Sequence, residues 1–142
     1  MNKKIDLIIK NGKVFYKNKF QIINVIVNKG KIVEISNNIK SYEAKKIIDA
    51  KNLTVIPGVV DVHFHVRAPS FPERGTVESE TKAAAKGGIT TLFEMPISDP
   101  CMSNGKVLKD RKEHFLKNTI INFAFIHAIG KLTNSNINSL IK

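Results

Sequence analysis

Cysteine is nearly absent from this chain, tryptophan is absent, and acidic residues are outnumbered about two to one by basic ones: 12 Asp and Glu against 23 Lys and Arg, a formal charge of +11. One cysteine, Cys101, excludes an internal disulfide framework and fits a reducing compartment. No stretch of about 18 apolar residues is present, which excludes a spanning helix on sequence grounds. The opening MNKKIDLIIKNGKVF breaks its apolar residues with charges and lacks the apolar core of a secretory leader. These absences predict a cytoplasmic protein with no membrane partner. The positive charge raises the question of nucleic acid, but the lysines are scattered (Lys10, Lys31, Lys51, Lys86, Lys117) and arginine is scarce, so the clustered footprint of groove binding is missing. We expect a solvated basic surface and no nucleic-acid partner.

What is present divides at Pro57-Gly58. From Ile5 to Leu53, β-branched runs alternate with turn residues, and Asn11-Gly12 and Asn28-Lys29-Gly30 tolerate the positive φ of tight hairpins, so a meander of short strands is predicted. Beyond it, Val59–Val66 reads as a strand and Thr76–Lys86 as a helix, with Thr76 as its cap and Gly87-Gly88 as its stop. Ile89–Met95 is a second apolar strand. Ser103–Lys117 is a helix with Val107, Leu108, His114, Phe115 and Leu116 as its apolar stripe, and Thr119–Ile129 is a third strand. Asn134–Lys142 opens another helix. Strands of this kind alternating with helices predict a parallel sheet covered by helices, an α/β fold. Three such steps cannot close a barrel, and they leave the third strand with an open apolar edge.

The chemistry concentrates in Asp61-Val62-His63-Phe64-His65-Val66-Arg67. Side chains alternate along a strand, so Asp61, His63, His65 and Arg67 share one face, and Val60, Val62, Phe64 and Val66 the other. Two imidazoles on one face are a start for a divalent metal site, zinc being the commonest ion for such ligands. Asp61 is placed to orient a histidine, and Arg67 to grip an anionic or carbonyl-rich substrate through its planar fork. His127 stands on the third strand as a weaker candidate, His114 reads as a packing residue, and Cys101 as a structural thiol with no base beside it.

The run Val55-Ile56-Pro57-Gly58-Val59-Val60-Asp61-Val62-His63-Phe64-His65-Val66-Arg67-Ala68-Pro69 resembles the cyclic amidohydrolases: dihydroorotases, allantoinases and hydantoinases. The likeness continues through Thr81–Thr91 and Glu94-Met95-Pro96, where it is similar to allantoinase in particular. The resemblance implies the N-terminal part of a metal-dependent TIM-barrel hydrolase: a β-sandwich segment over residues 1–52, then the first three β/α steps of the barrel over 53–142. It implies one or two divalent ions, zinc foremost, with His63 and His65 as ligands, and opening of a cyclic amide or ureide ring by metal-bound hydroxide. Arg67 matches an arginine that in dihydroorotases holds the substrate carboxylate. Ile97 stands where those enzymes carry asparagine, however, and Ser70 replaces an expected glycine. An allantoinase- or hydantoinase-like reaction is thus the leading expectation, with dihydroorotase as the alternative.

The family's bridging lysine, its further histidines and its catalytic aspartate belong to later strands, so no catalytic base is assigned within these residues. The chain is expected to be inactive alone. It is expected to act within a homo-oligomeric complete enzyme or with a complementary chain; a non-catalytic scaffold that pairs with another chain is the rival reading.

Overall fold

The computed structural model describes residues 2–128 and 133–141. They form two compact units, Met1–Pro57 and Gly58–Lys142.

The first unit is a five-stranded sheet built of β1 (Lys3–Tyr16), β2 (Lys19–Asn28), β3 (Lys31–Ser36), β4 (Tyr42–Asp49) and β5 (Thr54–Val55). Its order is β3-β2-β1-β4, with β5 also on β1. The expected meander is corrected in two places. First, β4 returns parallel to β1 rather than antiparallel to β3. Second, Asn11-Gly12 is not a reversal: β1 runs straight through it, with a shift of register between Ile9 and Gly12 that marks a bulge. Asn11 takes φ 62° there, and its N–H donates to Asn24 Oδ1 at 3.0 Å. A Cβ on Gly12 would come within 2.4 Å of Val55 Cγ2, so the glycine serves close approach and not chain reversal. The reversal falls at Lys17-Asn18, both at positive φ, while Lys29-Gly30 turns the chain where expected. Ile8 pairs with Ile26 and Ile9 with Val25, and these pairs feed two separate apolar clusters around Ile5-Ile8-Ile26 and Val14-Ile23-Val25.

The second unit is a parallel three-stranded sheet, β6 (Val59–Phe64), β7 (Ile89–Glu94) and β8 (Asn122–Phe125), in that order. Helix α1 (Val77–Lys86) connects the first two strands and α2 (Gly105–Asn118) the second pair; α3 (Asn134–Ile141) follows. The Thr76 hydroxyl accepts the Ser79 N–H at 3.1 Å and Ser79 Oγ accepts the Thr76 N–H at 2.9 Å, a reciprocal cap that fixes where α1 begins. Gly88, at φ 90°, ends it. In α2 the cap is Asn104, one residue past the expected start, because its Oδ1 accepts from both Lys106 and Val107.

One face of this sheet is packed. Val66, Ala68, Val77, Leu92 and Phe115 form its buried cluster, with Phe64, Phe123 and Phe125 against it. The apolar face of β6 is covered only from Phe64 onward; Val60 and Val62 are 52% and 64% exposed, since β6 is an edge strand and α1 lies on β7. The predicted strands also end early. The first stops at Phe64 rather than Val66 and the third at Phe125, while Ile129, like Lys142, lies outside the described residues.

Candidate functional site

The C-terminal ends of β6, β7 and β8 lie in register, with Phe64, Glu94 and Phe125 side by side. The segment carrying the histidines leaves the sheet there. His63 is the penultimate residue of β6 and is exposed; His65 follows the strand and is half-buried. Phe64 and Val66 turn toward the packed face, so the two histidines fall on the opposite one, and their ring centroids stand 5.2 Å apart at an interplanar angle of 70°. His65 Nδ1 is buried without a hydrogen-bond partner. A buried ring nitrogen left unpaired costs free energy unless something supplies a partner, so the pair suits a divalent ion. Among the described residues no cluster of three or more His, Cys, Asp or Glu is close enough to hold one, so the two imidazoles form at most part of a coordination shell.

The other predicted site residues take distinct positions. Asp61 Oδ1 accepts the backbone N–H of His63 at 3.0 Å, so it braces the strand beneath the histidine. Arg67 lies beyond the strand at φ 63°, and strand alternation therefore does not place it; the left-handed turn does. Ser70, standing where the resemblance expects glycine, accepts the Asp99 N–H at 3.1 Å and donates to the Asp99 carbonyl, tying the loop after β6 to the loop after β7. His127 has a buried Nδ1 without a partner but does not join the histidine pair in a three-ligand cluster. His114 lines a cleft of about 250 Å³ with Pro69, Thr76 and Glu78. Neither His63 nor His65 lines that cleft, so it is separate from the histidine site.

Sequence reasoning missed the pair that anchors the segment. Glu94 is 0% exposed and Arg111 5%, and Arg111 Nη2 donates to Glu94 Oε1 at 3.0 Å. The second carboxylate oxygen accepts the Val66 N–H at 2.8 Å. Burial raises the Glu94 pKa above the ordinary glutamate value, while the Val66 N–H and the Arg111 guanidinium pull against it. A signal was available: positions 107, 108, 111 and 115 form one helical stripe, and the charged residue inside it is the only arginine of α2. Arg111 also lies over the Phe115 ring, 5.7 Å from its centroid.

The family model for dihydro-orotase-like proteins matches residues 52–133. The allantoinase of Salmonella choleraesuis (strain SC-B67) is 47% identical over 93 residues, which are 66% of this chain and 20% of that protein. The allantoinase of Salmonella newport (strain SL254) matches at the same identity and coverage. Among solved structures, L-hydantoinase (dihydropyrimidinase) from Arthrobacter aurescens superposes with a TM-score of 0.84 at 30% identity, over 96% of this chain and 30% of that one. A D-hydantoinase gives 0.82 at 29%, with the same coverage. This chain thus spans about a fifth of the length of the curated relatives and under a third of the structural ones. Its mixed α/β sheets resemble the N-terminal part of those structures. With more than half of its residues matched by the family model, the chain belongs to the dihydro-orotase-like family of cyclic amidohydrolases.

Proposed function

We propose that this chain carries the first part of the metal site of an enzyme that hydrolyses cyclic amides or ureides, of the allantoinase or hydantoinase kind. Residues 1–52 then represent a β-sandwich segment, and residues 53–142 the opening β/α steps of a TIM barrel. The observation that carries the reading is the His63–His65 pair at the end of β6, rings 5.2 Å apart, with His65 Nδ1 buried and unpaired. The relatives' names supply the substrate class.

His63 and His65 would hold a divalent ion, most readily zinc, through imidazole nitrogens. Such an ion supplies Lewis-acid activation of water and of a ring carbonyl. Asp61 keeps the strand under His63 straight through its backbone bond, so that one ring is presented at fixed height. Arg67, half-buried and turned by its left-handed backbone, orients the polar edge of the ring substrate through its guanidinium. The described residues assemble two imidazoles without a third His, Cys, Asp or Glu close enough to complete a metal shell, so on this reading completion of the site and turnover depend on further elements.

The test is metal uptake by the chain. Titration with Co²⁺, read by its visible absorption, is expected to give saturable binding that His63→Ala and His65→Ala each weaken at least about tenfold, the least that loss of even an outer partner of a ligand costs. Uptake that is unchanged in both variants would sink the reading.

A further inference from the structure

We propose that Glu94, clamped by Arg111, is the positioning residue of the histidine site: its carboxylate holds the Val66–Arg67 turn and thereby fixes His65 against His63. The proposal rests on the metal-site reading above and adds a residue to it. His65 sits between two residues that the end of β7 and the residue after it fasten. On one side the Phe64 carbonyl accepts the Met95 N–H at 2.9 Å; on the other the Val66 N–H donates to Glu94 Oε2 at 2.8 Å.

The Arg67 backbone N–H adjoins the same carboxylate and helps to hold its pKa down, while the Val66 N–H makes the hydrogen bond. The carboxylate thus holds the residue that leads into the turn at which Arg67 takes φ 63°. A non-glycine residue in that region is strained and needs surroundings that enforce it. Glu94 supplies them. It cannot swing away, because Arg111 holds the other oxygen at 3.0 Å and both side chains lie in the packed face. The anchor thus stands on one face of the sheet and the histidines on the other, joined through a turn whose residues Val66 and Ala68 are themselves buried.

Two double variants separate the anchor from the charge pair. Glu94→Gln with Arg111→Met removes both charges but leaves a carbonyl to accept the Val66 N–H; Glu94→Leu with Arg111→Met removes the acceptor as well. Each replaces a buried ion pair by groups of similar volume, a change that cores accommodate. In Co²⁺ titrations of the full chain, the Gln/Met variant is expected to bind like wild type with the same visible bands. The Leu/Met variant is expected to lose about 10- to 100-fold in affinity, with shifted bands, the range that outer partners of metal ligands control.

Should the Leu/Met variant fail to fold, NMR on the wild-type chain carries the test. Metal titration is then expected to move the Val66 amide and Arg111 Nε–H signals with the midpoint of the histidine signals, and unmoved Arg111 signals would overturn the proposal. If the wild type takes up no Co²⁺, or takes it up equally after His63→Ala and His65→Ala, the metal-site reading falls and this proposal with it. If uptake needs the histidines but the Leu/Met variant binds like wild type, the positioning role alone falls.

Discussion

At the scale of single residues, the contrast between two acid-base pairs shows what burial does to a charge. Glu78 and Lys82 are an i,i+4 pair on the outer surface of α1, 2.5 Å apart with both side chains well exposed, where solvent screens the attraction and the pair contributes little. Glu94 and Arg111 are shielded from water, so removing one partner strands the other charge in the core. We therefore expect Glu94→Ala to cost about 3–5 kcal/mol in urea unfolding, and Glu78→Ala far less. Equal effects of the two substitutions would contradict the burial argument. The same contrast explains what the sequence concealed. That His63 and His65 fall on one face was legible because alternation needs only local geometry and holds for the one residue that follows the strand. Arg67 was placed by the same rule but lies past the strand end, where a turn imposed by Glu94, 27 positions further on, governs its backbone. Glu94 itself looked like a motif letter, since its partner Arg111 belongs to another element.

Elements were more readable than their ends. The helix over Val77–Lys86 begins at Thr76 and stops at Gly87-Gly88 as its letters require, because caps are local chemistry. Loss of the Thr76 hydroxyl, by Thr76→Ala, is expected to destabilise the chain by about 1 kcal/mol, with Thr76→Ser restoring most of it, measured by thermal melting. Turn letters misled at Asn11-Gly12 because the bulge takes a left-handed φ at Asn11, as a hairpin would, while Gly12 is there for the approach of Val55 and not for a positive φ. The stripe of α2 misled at Leu116, which is 61% exposed, while His114 is half-buried and lines a cleft.

His114 also yields a pH dependence. Partial burial, with Arg111 and Lys117 nearby, lowers its pKa from the ordinary histidine value. The folded chain therefore binds this proton less readily than the unfolded chain, and stability falls as pH drops below about 6.5 toward the folded pKa. His114→Gln is expected to flatten the change in melting temperature between pH 7 and pH 5.5. A slope identical to wild type would remove His114 from the account.

For the whole molecule, the α/β class and the parallel order of the second sheet were legible because helix and strand periods differ and parallel strands need long crossovers. The path of the first sheet was less legible, since β4 reaches β1 through pairing that no local pattern announces. Charge is the property that acts on all of it at once. Four carboxyls have pKa values held below the ordinary range: Asp6 by Lys45 and the Lys29 N–H, Glu34 by the Tyr42 hydroxyl, Asp49 by Asn11 and Lys10, and Glu78 by Lys82. Each adds stability above its unfolded pKa and loses it as pH falls through the folded one. Glu94, raised by burial, works in the opposite sense: the folded state keeps its proton to higher pH, so acid slightly favours folding at that site.

Four against one predicts net acid lability below about pH 4, where the unfolded carboxyls titrate. Global repulsion adds to it, for acid removes the 12 negative side chains and leaves 23 lysines and arginines and four histidines charged. Repulsion among exposed charges is screened by salt, with a Debye length near 10 Å at 0.1 M and about 3 Å at 1 M. Acid unfolding followed by far-UV circular dichroism is therefore expected to move to lower pH as sodium chloride is raised from 0.05 to about 0.5 M. The exposed ion pairs Lys45–Asp6 and Lys82–Glu78 are screened as well, which works against that shift. Movement of the midpoint to higher pH would mean that the pairs outweigh the uniform positive field, and would reverse the sign assigned here to the net charge.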